Sequence, residues 1–480
     1  MRVKSSSLGV LVLAVFALSL QGCGGGSSDQ ASGSGSSSTT SSTDIAVDLR
    51  GSVGDGPVVG AQLTVTASSG ETLQNAVSDQ QAGYNIQFKT KGKYYPLLIA
   101  ATGGTDLVTN RAPDFALTSM ATQPGGKAVT NLNPFTTLAI AVAKQMSGGL
   151  TDTNVANALT IVVAQFDCGL ASLANSGVMS AAIDDSNLAE IVKSSETLSE
   201  ILRRTNAAMV AARGSSTIDA VINALAADLV DGTLDGQGAA SGTDPEVSAV
   251  AAIISAQVLM EAMTNTLQVD GQSATAALDN AINTLASSPM TAPTASVPIT
   301  AAMIDRAERG VAAANAISPS TDLQQVLSDL GQLTAGMLPA DVAAILPSTA
   351  SASLDGSLTQ IQSDLSSDVN TVNTISADGV VVTSTTTTTT TGSGTGAATL
   401  SWTAPTQNTD GTALTDLAGY KVYWGTSSGN YSSSVTLNNP GLTSYVVDTL
   451  SSGTYYFSVS ALNSSGVESV LSNEASKTIP

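Results

Sequence analysis

The chain has 480 residues and a formal net charge of −21, from 38 acidic and 17 basic side chains. A chain this acidic, without a basic cluster, is a poor partner for nucleic acids and for anionic lipid headgroups. Only 11% of the residues are charged and 42% are hydrophobic, so the composition favours folded domains over disorder. The length suggests about three domains.

The absence of histidine excludes several classes of catalytic and metal-binding sites. With no His in the chain, Ser-His-Asp and Cys-His catalysis and His-ligated zinc or haem are excluded. The two cysteines are Cys23 and Cys168. If Cys23 carries a lipid, Cys168 has no partner for an intramolecular disulfide, and we expect it to be a small buried apolar residue.

Residues 1–22 have the parts of a secretory signal peptide. Arg2 and Lys4 form a positive start, and a short apolar run follows from Leu8 to Leu20. That run is shorter than the roughly 20 apolar residues that a membrane-spanning helix needs. We therefore predict export and cleavage.

The segment Leu20-Gln21-Gly22-Cys23 resembles the lipobox of bacterial lipoproteins, although Gln21 stands where a smaller residue is commoner. The resemblance implies that Cys23 becomes the acylated N-terminus, and Gly24 in place of Asp implies sorting to the outer membrane. The composition of residues 23–43 is that of a Gly/Ser-rich tether. We expect a lipid-anchored outer-membrane protein on the cell surface or the periplasmic face.

Residues 44–125 carry short alternating runs separated by turn residues, which predicts a β-sandwich. The predicted strands are 45–53, 62–66, 72–77, 84–88 and 95–101. The stretch from Gly51 through Asp55-Gly56-Pro57 to Val65, with Asp79 downstream, resembles carboxypeptidase-regulatory-like, transthyretin-type sandwiches. That resemblance implies a spacer or binding module.

Residues 130–376 change to helical periodicity and are rich in Ala, which predicts an all-α domain. Asn133-Pro134 opens the first helix. Asp244-Pro245 opens a later one, which we expect to end at Asp270-Gly271. In that later helix, one predicted apolar face consists of Val247, Val250, Ile254 and Val258. The charged residues of 186–204 recur at three- and four-residue spacings, which is typical of a solvated helix face.

The end of this region leaves two interpretations open. Apolar residues from Leu354 to Ile375 recur at coiled-coil spacing, so they form either an oligomerising seam or a terminal helix docked on its own domain. No aromatic residue occurs from 167 to 401, so this region has no stacking platform for sugars or bases.

Two short motifs have residues that are also found in chemical sites. Asp228, Asp231 and Asp235, with Gly232 and Gly236, are candidate calcium ligands; the alternative is a helix end capped by Gly232. No other cofactor is predicted. The string at 425–429 matches a serine-hydrolase elbow, but it follows a predicted strand in a chain without His, so we predict a turn.

Residues 383–396 are a Thr-rich linker, and residues 397–480 have the alternation of a second β-sandwich. Trp402, Tyr420 and Tyr455 are its predicted structural aromatic residues. This segment resembles a fibronectin type III domain, with Tyr455 near the family's tyrosine corner. The resemblance implies a spacer or adhesive module without an active site.

The expected fold class is multidomain: an N-terminal β-sandwich, a central all-α domain and a C-terminal fibronectin type III sandwich. The order of parts resembles lipoproteins of environmental proteobacteria, which implies no particular activity. We predict a non-catalytic cell-envelope lipoprotein for adhesion, matrix binding or scaffolding, with a matrix component, envelope protein or polysaccharide as partner. The alternative is a polysaccharide-active hydrolase or its accessory binding protein.

Overall fold

The computed structural model describes residues 44–121, 126–170, 177–238, 240, 242–363 and 365–378, and then 396–402, 405, 407, 412, 414, 417–437, 444–450, 452–463 and 467–479. The predicted signal peptide, Cys23, the tether and nearly all of the linker lie outside these residues. The chain divides into a larger unit within residues 40–384 and a C-terminal unit within residues 385–480.

The N-terminal part of the larger unit is rich in β-strands, as predicted. The strands are β1 (Ile45–Ser52), β2 (Val58–Val59), β3 (Gln62–Thr66), β4 (Thr72–Val77), β5 (Gly83–Thr90), β6 (Leu97–Thr102), β7 (Thr105–Asp106), β8 (Leu117–Ala121) and β9 (Gly126–Val129). One sheet has the order β5-β1-β9 and another has the order β4-β3-β6-β8, while β2 pairs with β7. All pairs are antiparallel except β1 with β9.

Side chains along these strands alternate between buried and more exposed positions. Val47 and Leu49 on β1, and Leu63 and Val65 on β3, are buried, whereas their neighbours are more exposed. These side chains belong to the same continuous core as the buried residues of the helices. The change from strands to helices therefore falls inside one compact unit.

The rest of the larger unit is helical. The helices are α1 (Pro134–Gln145), α2 (Asp152–Gln165), α3 (Gly177–Ser180), α4 (Leu188–Arg213), α5 (Ile218–Asp228), α6 (Pro245–Met263), α7 (Thr275–Leu285), α8 (Ala301–Ile317), α9 (Thr321–Leu330), α10 (Pro339–Ile345), α11 (Asp355–Ser363) and α12 (Leu365–Asp378). A small hairpin, β10 (Gln268–Val269) and β11 (Gln272–Ser273), separates α6 from α7.

The starts of two helices follow from their caps. Asn133 accepts a hydrogen bond from the Thr136 backbone N–H, and the Thr136 hydroxyl accepts one in return from the Asn133 backbone N–H, which completes a capping box. Asp244 caps α6 by accepting from the Glu246 backbone N–H. Both predicted starts are confirmed.

Helix α6 is the central helix of the unit and packs on α4, α8 and α12. Val247, Val250, Ile254 and Val258 are buried as predicted, but the expectation of a single apolar face is wrong because nearly every residue of α6 is buried. Small Ala and Ser side chains fill its other faces. Among the described residues α6 is also the one helix long and apolar enough to cross a bilayer, yet 89% of its apolar window is buried inside the unit.

The predicted end of this helix is wrong. Helix α6 stops at Met263, and Asp270 and Gly271 instead form the turn of the β10–β11 hairpin, with φ of 51° and 71°. An Asp-Gly pair suits such a turn because both positions need positive φ.

The apolar residues near the end of the helical region pack on their own unit. Leu354, Ile361 and Val372 are buried in the common core, and α12 lies against α6 and α8. The structure thus supports the docked terminal helix of the two interpretations.

The C-terminal unit consists of strands β12 (Gly396–Ser401), β13 (Leu417–Gly425), β14 (Ser433–Leu437), β15 (Ser444–Leu450), β16 (Gly453–Asn463) and β17 (Ala475–Ile479). Strands β12 and β15 form one antiparallel pair, and the order β14-β13-β16-β17 forms a second sheet. Trp402 and Tyr420 are buried in its core, with their rings edge to face at 5.1 Å. The predicted order of a β-rich region, a helical region and a second β-rich region is confirmed.

The crossing of α6 and α8 depends on the absence of a side chain at Gly310. A Cβ there would lie 2.5 Å from Ala256 Cβ and 2.6 Å from Ala252 O, which is far inside normal contact. We predict that Gly310→Ala lowers the free energy of unfolding by about 1–3 kcal/mol, because the two helices must move apart. Urea unfolding followed by circular dichroism at 222 nm measures this change.

Gly356 provides the matched control, since it lies in α11 with no atom within 4 Å of an added Cβ. Gly356→Ala is expected to leave the urea concentration at the midpoint of unfolding unchanged or to raise it slightly, because Ala favours helix. If both substitutions lowered the free energy of unfolding equally, the close contact of α6 and α8 at Gly310 would not be the cause.

Candidate functional site

A cavity of about 400 Å³ lies between the strands and the start of α4. Its walls are mainly apolar and include Val53, Pro57, Leu188, Ile191, Val192 and Leu285, and the charged residues Arg50, Asp184 and Asp185 also line it. Exposed residues such as Gln81, Ala182 and Asp184 also line it, so the cavity opens to solvent. Its volume and lining are typical of a small-molecule site.

One wall is the turn from Val53 to Pro57, which carries Asp55 into the interior. Asp55 is only 1% exposed. Its neighbour Gly56 lies against the buried Asp106, and a Cβ on Gly56 would come 2.2 Å from Asp106 Oδ1. Glycine is therefore required beside Asp55 for the two acidic side chains to lie close together.

The opposite wall is the first part of α4. Leu188, Ile191, Val192 and Ser195 line the cavity at helical spacing. Helix α4 begins after Asn187 and ends at Arg213. The capping residue Gly214 has a φ of 80°, the left-handed conformation that glycine favours.

Directly after these residues, the same helix presents charged side chains to Asp55. Glu196, Glu200 and Arg203 are all buried, with Glu196 0% exposed. The prediction that these residues form a solvated face is wrong. Their three- and four-residue spacing is the same as on a surface helix, but here the charges pair with each other and with a distant loop.

Asp55, Glu196, Glu200 and Arg203 form what we call the Arg203 cluster. Arg203 Nε donates to Glu200 Oε2 at 2.9 Å, and Nη1 donates to Asp55 Oδ2 at 3.3 Å. Arg203 Nη2 donates to Glu196 Oε1. One guanidinium thus holds three carboxylates, one of them from the β-rich part of the unit.

Arg204 extends these contacts to α6. Its Nε donates to the other oxygen of Glu200 at 2.8 Å, and its two terminal nitrogens pair with both oxygens of Glu261 at 2.9 and 2.8 Å. It also donates to the Gln268 carbonyl at 2.7 Å. The charged network therefore runs from the cavity wall to the end of the central helix.

The network contains more negative than positive groups. Two guanidinium groups face four carboxylates, and Asp106 lies near Asp55. Burial raises the pKa of Asp55 from 3.8 to about 6; Arg203 opposes this rise, whereas Asp106 and Asp114 add to it. Burial also raises the pKa of Glu196 well above its ordinary value, with the same opposition from Arg203.

Two carboxylate oxygens of the cluster have no hydrogen-bond partner, Asp55 Oδ1 and Glu196 Oε2. The Ser199 hydroxyl is near enough to lower the pKa of Asp55, but it makes no hydrogen bond of good geometry to it. Buried acceptors without donors lower stability, so a proton or another positive group beside these two oxygens is favourable.

The candidate calcium ligands lie elsewhere and bind their own loop. The buried Asp228 accepts hydrogen bonds from the Gly236 and Gly238 backbone N–H groups, at 2.9 and 3.0 Å, and from the Ser248 hydroxyl at 2.6 Å. Asp231 accepts from Thr233, and Asp235 accepts from the Gln237 backbone N–H.

Gly232, with φ of 99°, caps the short 3-10 turn that follows α5. Among the described residues no group of three or more acidic or cysteine side chains could hold a metal ion. Calcium binding by this segment stays a prediction.

Several smaller predictions can be compared with the structure. Cys168 is buried and not in a disulfide, as expected. The string at 425–429 is the turn after β13, with Gly429 at φ of 71°, which confirms that it is not a helix-associated elbow. Tyr455 packs at the edge of the C-terminal core beside Phe457, and its role as a tyrosine corner stays a prediction.

Sequence reasoning missed the cavity and the Arg203 cluster. Asp55 was interpreted only as part of a turn, and the charges of α4 only as surface charges. A signal was present in the residues between the charges, since Ser194, Ser195, Thr197 and Ser199 are small polar residues instead of the Lys and Gln usual on a solvated helix.

The C-terminal unit has a second hollow, of about 340 Å³, beside Trp402 and Tyr420. The segment between β16 and β17 borders it and carries exposed apolar side chains. Val467 is 62% exposed, Val470 is 79% exposed, and Leu471 is also exposed. Apolar side chains grouped on a surface are typical of contact sites.

Comparison with known proteins adds no family assignment. No protein-family model matches the chain, and no curated protein matches it either.

The raised pKa of Asp55 in the Arg203 cluster predicts how the free energy of unfolding depends on pH. Because the folded-state pKa of Asp55 lies above 3.8, the folded protein holds this proton more tightly than the unfolded chain. The resulting stabilisation is complete below pH 4 and is lost as the pH rises through about 6. Relative to Asp55→Asn, the wild type should lose on the order of 2 kcal/mol of unfolding free energy between pH 4 and pH 8.

Urea unfolding at a series of pH values measures this difference, with Glu71→Gln as the control. Glu71 is an exposed acid at the start of the β4 hairpin, and its substitution should leave the wild-type pH profile unchanged. An Asp55→Asn profile parallel to that of the wild type would contradict the proposed proton on Asp55.

Proposed function

We propose that this chain is a non-catalytic lipoprotein of the bacterial cell envelope, anchored in the outer membrane through Cys23 and used for adhesion or scaffolding. The predicted signal peptide, with its lipobox-like segment before Cys23, supports the anchor. Two compact units follow along the chain, an arrangement suited to presenting a binding module away from an anchor.

The C-terminal unit is proposed to be a fibronectin type III domain. The four-stranded sheet β14-β13-β16-β17 and the pair β12-β15 share one hydrophobic core, which supports this assignment because immunoglobulin-like sandwiches pack two antiparallel sheets around a common core. The buried Trp402 against Tyr420 is consistent with the core of such a sandwich. Likewise, the three-stranded and four-stranded sheets of the N-terminal part support a carboxypeptidase-regulatory-like module.

The observation that carries the adhesive role is the exposed apolar segment 467–471. The side chains of Val467 and Val470 are exposed, whereas the other described apolar side chains of this unit are largely buried or half-buried. Leaving such side chains in water is unfavourable, and contact with another apolar surface would bury them. We infer that this segment makes the adhesive contact.

The anchor is tested by metabolic labelling with an alkyne analogue of palmitate. Cys23→Ser should abolish the label and release the protein from membranes, because Cys23 is the proposed acylation site. Cys168→Ser is the matched control and should keep the label, since Cys168 is buried inside the larger unit. A labelled Cys23→Ser protein would overturn the anchor.

The adhesive role is tested by attachment of expressing cells to polystyrene. The double substitution Val467→Ser and Val470→Ser should reduce attachment severalfold, because it removes the exposed apolar contact. Val77→Ser is the matched control, since Val77 is 53% exposed but lies on β4 of the larger unit.

Proteinase K treatment of intact cells should remove the C-terminal unit and attachment together. If attachment is unchanged in the double variant, or if the unit survives proteolysis of intact cells, adhesion through this segment is excluded.

A further inference from the structure

We propose that the cavity of the larger unit binds a small uncharged organic molecule, whose apolar body packs on α4 and whose hydroxyl or carbonyl oxygen bonds to Ser195. This inference concerns the larger unit alone. It does not depend on the lipid anchor or on the C-terminal unit, so either proposal can fail without the other.

Ser195 supplies an available hydroxyl in the cavity wall. The residue lines the cavity and is only 3% exposed. Its hydroxyl bonds to no other described residue, and it is not among the fully enclosed oxygens that lack partners, such as Asp55 Oδ1. The small accessible part of Ser195 therefore includes its oxygen, and a ligand in the cavity can reach it.

Neighbouring hydroxyls of α4 are satisfied within the protein. Thr197 donates to the Lys193 carbonyl one turn back at 2.7 Å, which is the usual partner of a hydroxyl inside a helix. Ser194 donates to the Cys168 carbonyl at 2.9 Å. Ser195 has neither kind of partner, so its hydrogen-bonding capacity is left for a molecule in the cavity.

The buried amides of the wall are also bonded already. Asn131 accepts from the Ser52 backbone N–H and donates to the Ala181 carbonyl, and Asn133 caps α1. Among these buried polar side chains of the lining, the one that offers a free hydrogen-bonding group is therefore Ser195.

The rest of the α4 wall is apolar. Leu188, Ile191 and Val192 precede Ser195 at helical spacing and line the cavity with it. The turn that contains Val53 supplies apolar side chains from the opposite wall. A ligand between these walls removes apolar surface from water while its oxygen meets Ser195. The cavity volume of about 400 Å³ suits a small organic molecule.

The charges that line the cavity do not favour an anion. Arg50 is the basic residue of the lining, and it donates to both oxygens of Asp48 at 2.9 and 3.0 Å. Its charge is therefore already paired. Asp184 and Asp185 line the cavity as well, so an anion would lose hydration beside two acids without gaining a free cation.

A cation is not favoured either. Asp184 and Asp185 remain in contact with water, which screens their attraction for a positive group. Asp55 borders the cavity, but its Oδ1 is fully enclosed and its Oδ2 accepts from Arg203, so neither oxygen is open to a ligand. The polar group that is available inside the cavity is thus the neutral hydroxyl of Ser195.

The experiment is a titration of the full-length protein at pH 7.5, followed by saturation-transfer NMR. The ligands are 1-hexanol, hexanoate and hexylamine, which share one apolar chain and differ in the charge of the head group. We expect saturable binding of 1-hexanol, at least tenfold tighter than binding of either charged ligand. A charged head would lose hydration in the cavity without meeting an open group of opposite charge.

Two variants locate the site, and a third is the control. Ser195→Ala should weaken 1-hexanol binding about tenfold, because the ligand oxygen then lacks its partner. Val192→Phe should weaken it by narrowing the cavity without changing any charge. Ser328→Ala removes an exposed hydroxyl of α9 that does not line the cavity, and it should bind like the wild type. Val192→Phe keeps the test decisive if Ser195→Ala fails to fold.

Four outcomes would each overturn the proposal. Hexanoate binding as tight as that of 1-hexanol would assign recognition to Arg50, and hexylamine binding as tight would assign it to Asp184 and Asp185. Unchanged affinity for 1-hexanol in Ser195→Ala would exclude the hydroxyl as its partner. The last outcome is the absence of saturable 1-hexanol binding to the wild type.

Discussion

The ion pairs of Arg203 are the interaction on which the arrangement of the larger unit depends. They tie a turn of the β-rich part to the longest helix of that unit, and through Glu200 and Arg204 they reach the central helix α6. Breaking a buried pair of this kind typically costs about 3–5 kcal/mol, because the remaining charge has no water to replace its partner. The two walls of the cavity are therefore held at a fixed separation by the charges behind them.

The same cluster also makes the stability of the unit depend on pH. Buried ion pairs often contribute little net stability compared with well-packed apolar side chains. The excess of carboxylates leaves two buried oxygens, Asp55 Oδ1 and Glu196 Oε2, without donors, and a proton is favourable there. The stability of the unit and its dependence on pH thus have a common origin in the unequal numbers of acids and guanidinium groups.

Local features of the fold could be predicted from sequence, and features that join distant segments could not. The caps at Asn133 and Asp244 lie within four residues of the groups they bind, so the starts of α1 and α6 were visible. Strand β3 was predicted with its observed bounds, because alternation is also local.

By contrast, Arg203 meets Asp55 across 148 positions, and no spacing rule links them. The sequence predicts Asp270-Gly271 as the end of α6, whereas the pair forms the turn of the β10–β11 hairpin. Helix signals alone did not show that α6 had already ended at Met263.

The distribution of tryptophan in the chain has a consequence for spectroscopy. Both tryptophans, Trp402 and Trp424, lie in the C-terminal unit, and the larger unit has none. Intrinsic tryptophan emission therefore reports on the β-sheets of the C-terminal unit alone, whereas ellipticity from helices reports on the larger unit. The two units carry separate built-in optical probes, so their unfolding transitions can be resolved in one sample without any label.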